Sequence, residues 1–105
     1  MTIKAAAEQT SGVNAAMVYG TDGAIAALGL VVLADPKGIQ PIYAPAPVLR
    51  AETLAQYPRM KDVLAPVSKT LDTPTLQALN AKIAVEGQDA KKVSADYLRA
   101  KGFIK

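Results

Sequence analysis

The stretch VYGTDGAIAALGLVVLADPKGIQPIYAPAPVLR, residues 18–50, decides how this chain is read. Its left edge closes an apolar run, Ala15 to Tyr19, which predicts a short buried strand stopped at Gly20. Thr21-Asp22-Gly23 then offers capping residues ahead of Ala24, Ile25, Ala27 and Leu28, a pattern that predicts a short apolar helix ending at Gly29. Leu30-Val31-Val32-Leu33 is the most strand-like run in the sequence. Strand, turn, helix and strand over residues 15–33 predict an α/β unit. After the turn Asp35-Pro36-Lys37-Gly38, the prolines Pro41, Pro45 and Pro47 lack backbone donors and fix φ, which excludes regular helix. Apolar Ile39, Ile42 and Tyr43 make this a stiff connector laid against protein.

On the N-terminal side, residues 4–9 predict a short helix ended by the turn formers Thr10-Ser11-Gly12. Beyond Val48-Leu49-Arg50 the pattern is helical to the end and divides into three helices. Met60, Val63, Leu64, Val67 and Leu71 form one apolar stripe, with Pro66 expected to kink or interrupt it. Asp72-Thr73-Pro74 opens the second helix, whose Leu76, Leu79 and Ile83 lead to Gly87. Asp89 opens the third, with Val93, Tyr97 and Leu98 facing inward, and Gly102 stops it. Two short strands do not make an independently stable sheet, and these stripes have no strand of their own to cover. Further polypeptide is therefore expected, either a missing N-terminal part or a second copy of this chain in a swapped homodimer.

Composition narrows the chemistry. The 105 residues contain no His, Cys or Trp, which excludes a Ser-His-Asp triad, a Cys nucleophile, a thiolate or imidazole metal site and disulfides. No Gly-rich phosphate loop, carboxylate constellation or Ser-x-x-Lys signature stands in their place, so no enzyme, metal or cofactor is expected. Twenty alanines and only five aromatic residues imply a thin aliphatic core. No apolar run approaches the 18 residues of a membrane span, and the start lacks the apolar segment of a signal peptide. The net charge of +3 comes from residues 58–105, where nine basic side chains face five acidic ones. They are interleaved, as around Lys91, Lys92 and Asp96, which fits a solvated face better than a nucleic-acid stripe.

Read in order, the chain resembles the C-terminal region of the osmoprotectant-binding proteins of ABC transporters, the glycine betaine, choline and carnitine group. Tyr19, Thr21-Asp22, Leu30 to Leu33, Asp35 to Gly38, Pro41-Ile42-Tyr43, Ala46-Pro47 and Val48-Leu49-Arg50 carry the resemblance. In the tail, Tyr57-Pro58, Leu79-Asn80, Val85-Glu86-Gly87, Asp89 and Lys101-Gly102-Phe103 continue it. It covers nearly all of this chain but only the last part of such a protein. The fold it implies is the C-terminal part of a type II periplasmic-binding-protein-like α/β architecture, two lobes with ligand between them. Residues 1–38 would end the second lobe, 39–49 would be the Pro-rich hinge crossover, and 50–105 would be a helical segment packed on the first lobe. The implied partners are a quaternary-ammonium ligand and an ABC permease in the membrane, in a periplasmic or other extracytoplasmic setting.

A quaternary ammonium has no N–H donor, so aromatic faces hold it through cation–π attraction. In the resembling family a Tyr cage does this, and Tyr19 and Tyr43 stand at the matching positions. The bland alternative is a Tyr packed in a core with its hydroxyl satisfied, and this is the expectation for Tyr57 and Tyr97. Thr21 and Asp22 divide similarly: at least one caps the following helix, while a Thr hydroxyl and free N–H groups at a helix start suit a ligand carboxylate. Thr21 is taken as a polar ligand contact, and Asp22 as chiefly structural with a role against the ammonium. The competing function is a helical interaction module whose basic C-terminal half binds an acidic partner.

Overall fold

Helices supply the regular structure of the described residues, 2–41 and 44–105, in a computed structural model of the chain. They are α1 (Thr2–Glu8), α2 (Gly23–Ala27), α3 (Ala51–Gln56), α4 (Met60–Lys69), α5 (Thr73–Ala84) and α6 (Ala90–Ala100). Three begin where the sequence places an acidic cap. Asp22, Asp72 and Asp89 sit in extended conformation and accept the N–H groups of Ala24 (2.9 Å), Thr75 (2.8 Å) and Lys92 (2.8 Å). Each bond satisfies a donor that the helix cannot satisfy internally. Beyond α5, Gly87 takes a φ of +70°, a left-handed conformation that suits glycine, and Gln88 N–H returns to the Lys82 carbonyl at 2.9 Å.

The C-terminal half holds four helices where the spacing predicts three. The extra one, α3, ends at Tyr57 because Pro58 disfavours helical geometry in the residue before it. Pro66, by contrast, does not interrupt α4, which runs on to Lys69 around it. Tyr57 is also not the core residue expected, since it is 55% exposed.

A larger departure lies in residues 15–33. Neither Ala15–Tyr19 nor Leu30–Leu33 forms a strand, and among the described residues the regular structure is helical throughout, so the α/β reading is not met within this chain. A strand completes its hydrogen bonds only on another strand, and among the described residues none is present beside these segments. Several of their apolar side chains stay in solvent, Val31 at 86% exposed and Leu33 at 82%, while Ala16, Val18 and Leu30 are half-buried.

What core exists lies where α2 crosses α5 and α5 meets α6, with Ile25, Ala81 and Val93 buried. The α2–α5 approach depends on Gly23, whose α-carbon faces the α5 backbone. A Cβ there would fall 2.5 Å from the Asn80 carbonyl carbon and 2.6 Å from the Ala81 α-carbon. The Tyr97 hydroxyl ties α6 to the end of α4, 2.9 Å from the Thr70 carbonyl oxygen and 2.8 Å from its Oγ1. Here the expected packing with a satisfied hydroxyl is met. The radius of gyration is 17.1 Å, against about 13 Å for a compact domain of this length. The accessible surface of 8358 Å² exceeds by roughly half the area of about 5,600 Å² that a folded monomer of 11.0 kDa presents. No helix of the described residues is long and apolar enough to cross a membrane.

Candidate functional site

The turn between Tyr19 and α2 forms one wall of a cleft of about 460 Å³, lined among the described residues by Ile3, Met17, Val18, Tyr19, Asp22 and Gln40. That turn is built locally. Asp22 N–H donates to the Tyr19 carbonyl at 2.9 Å, and the Asp22 side chain then caps α2. It is also held from outside: Gln77 Nε2 of α5 donates to the Gly20 carbonyl and Asn80 Nδ2 to the Thr21 carbonyl, each at 2.7 Å.

Two of the four expected site residues meet in this cleft. Tyr19 is 66% exposed and Asp22 is half-buried with one carboxylate oxygen capping α2; both residues line the cleft, and none of the described lining residues is basic. A ring face and a carboxylate both attract a diffuse cation. Thr21 lies between them in sequence but is not among the lining residues; it is half-buried, with its carbonyl turned to Asn80. Tyr43 lies outside the described residues. The N–H groups expected for a ligand carboxylate are partly engaged, because Ala24 N–H is taken by the Asp22 side chain and Ile25 N–H by the Asp22 carbonyl at 3.2 Å.

Sequence reasoning missed Gln40 in the cleft and Gln77 and Asn80 behind it. The signal for the last two was present as polar residues three apart on α5, beside the apolar positions Leu76 and Leu79. No group of His, Cys, Asp or Glu among the described residues is arranged to hold a metal. The carboxylates with clear electrostatic perturbation lie elsewhere. The Thr75 hydroxyl and N–H hold Asp72 below its ordinary value of 3.8, and the Lys92 ammonium does the same for Asp96. Both are exposed and serve the helices.

Comparison with known proteins places this geometry in context. The substrate-binding domain of ABC-type glycine betaine transport systems matches as a family over residues 1–100. The glycine betaine-binding protein YehZ of Escherichia coli (strain K12) is 68% identical over the whole chain, which spans 34% of YehZ. A glycine-betaine-binding protein of Pseudomonas aeruginosa is 42% identical over 79 residues, 75% of this chain and 25% of that protein. The solved structure of apo YehZ superposes with a TM-score of 0.86, covering 97% of this chain and 36% of that one. The helical architecture described above is thus that of one part of a binding protein about three times as long, and the chain belongs to the family of substrate-binding domains of ABC-type glycine betaine transport systems.

Proposed function

We propose that this chain contributes one wall of the ligand cleft in the solute-capturing component of an ABC importer for quaternary-ammonium osmoprotectants, glycine betaine foremost and choline or carnitine as relatives of the same chemistry. The observation that carries this reading is the pairing of Tyr19 and Asp22 on one cleft, a ring and a carboxylate with no described basic residue beside them. Tyr19 supplies a π face to the trimethylammonium group, Asp22 adds its negative charge, and Tyr43 contributes a second ring from the Pro-rich connector. Thr21 is assigned to the ligand's polar end. In this reading residues 1–38 close the second lobe of a type II α/β clamshell, 39–49 cross the hinge and 50–105 pack on the first lobe. Lobe closure around the cation presents it to a membrane permease on the extracytoplasmic side.

Segments 15–19 and 30–33, which are not strands among the described residues, fit the same arrangement, because polypeptide beyond this chain would supply strands beside them. The test is titration calorimetry with glycine betaine, choline and carnitine, on this chain alone and on the chain supplied with the part of YehZ it does not match. Saturable binding is expected in the second case, and Tyr19→Ala weakens it by roughly three- to thirtyfold, the worth of one cation–π contact of about 0.5–2 kcal/mol. Absence of binding by the completed protein overturns the assignment.

A further inference from the structure

Helix α5 reaches the cleft without lining it. Its Gln77 and Asn80 are half-buried, and each spends an amide donor at 2.7 Å on a carbonyl of the ligand-facing turn, Gly20 and Thr21 respectively. Within the turn, Asp22 N–H closes on the Tyr19 carbonyl and the Asp22 side chain caps Ala24, and Gly23 beside it packs on the α5 backbone. Helix α5 itself is anchored independently, through its Asp72 cap and its contact with α6. We propose that Gln77 and Asn80 are positioning residues, a pair of amide clamps through which α5 sets how Tyr19 and Asp22 face the cleft and thereby the affinity for an organic cation. The functional half of this inference rests on the ligand-capture reading; the clamp itself rests on geometry alone.

An amide can donate to a carbonyl, whereas an ionised carboxylate of the same shape cannot and repels it. Asn80→Asp and Gln77→Glu therefore remove the clamps with little change in volume, and a protonated carboxyl restores a donor below about pH 4. The experiment uses the isotope-labelled 105-residue chain and follows its backbone amide resonances, each variant compared with the unsubstituted chain at the same pH. The expected result is a displacement confined to Tyr19–Ala24 and the substituted turn of α5, which recovers in acid for the Asp and Glu variants and persists for Asn80→Ala. Unmoved Tyr19–Ala24 resonances, displacement across α6 as well, or no recovery in acid would each overturn the clamp.

The second readout is the Kd for glycine betaine, measured at neutral pH on the chain supplied with the remainder of YehZ. A weakening of about five- to tenfold per variant is expected, the scale of a hydrogen bond lost to a partly buried carbonyl. An unchanged Kd beside displaced resonances would overturn the link to affinity. Failure of the unsubstituted protein to bind would defeat the capture reading and the affinity link together, while the resonances still decide the clamp.

Discussion

Residues 13–50 and 60–104 have comparable lengths and different fates. In the second stretch each helix satisfies its backbone internally, and the ends are closed by residues a few positions away: Asp72 on Thr75, Asp89 on Lys92, and the Thr70 hydroxyl on the Val67 carbonyl. In the first stretch, outside α2, apolar residues lie in segments that are not helical, and Val31, Val32 and Leu33 remain exposed with no ladder among the described residues. A helix is a local solution and a strand a collective one. This chain spans about a third of the length of YehZ, and its described regular structure is of the local kind.

The largest effect that would break this contrast concerns amide hydrogen exchange. In the chain alone, Val31–Leu33 should exchange near the rate of an unprotected peptide, while the interior of α5 and α6 is slower by a factor on the order of a hundred or more. Addition of the part of YehZ that the chain does not match should slow the amides of 15–19 and 30–33 toward the helical rates, because a ladder then forms on them. Equal protection in both stretches before addition would mean that the first stretch already has partners. No gain afterwards would mean that it does not use strand pairing at all.

The same division explains what could be read in advance. The caps at Asp22, Asp72 and Asp89, Pro74 in the first turn of α5 and the inward face of α6 were legible because each is decided by residues within one or two turns. Pro58 was equally local, yet α3 ahead of it was not anticipated, because the apolar stripe read from the sequence begins only at Met60. The strands were legible as apolar runs only; whether such a run becomes a strand depends on surface that residues 15–33 do not encode. For the site, Tyr19 and Asp22 stood out by their chemistry. Gln77 and Asn80 did not, because their partners at Gly20 and Thr21 are brought to them by the fold, and Gly23 reveals its importance only where α5 passes over it.

That crossing gives the next largest effect. Gly23→Ala should gain up to about 1 kcal/mol in helix propensity, yet its Cβ would overlap the Asn80 and Ala81 backbone, and main chain cannot turn aside as a side chain can. Overpacking wins, at a net cost of about 2–3 kcal/mol or separation of α2 from α5. Thermal unfolding would show the loss, and exchange would show Ile25 losing its protection while α6 keeps its own. A variant as stable as the unsubstituted chain would mean that the α2–α5 crossing is looser than this geometry.

The smallest effect sharpens the comparison from the helical side. Asp89→Ala should cost about 1 kcal/mol through loss of the cap on Lys92 N–H, with the change confined to the start of α6. Acid should act on the same half of the molecule. The folded-state pKa values of Asp72 and Asp96 lie below 3.8, so the stability these carboxylates contribute is fully present above that value and is lost as pH falls through the folded-state values. Exposure and salt screening keep the contribution modest. Thermal unfolding measured between pH 6 and pH 2 should therefore show a midpoint that is flat down to about pH 4 and then declines, by less in Asp72→Ala than in the unsubstituted chain. Identical acid slopes in the two proteins would remove Asp72 from the account of why the helical half stands by itself.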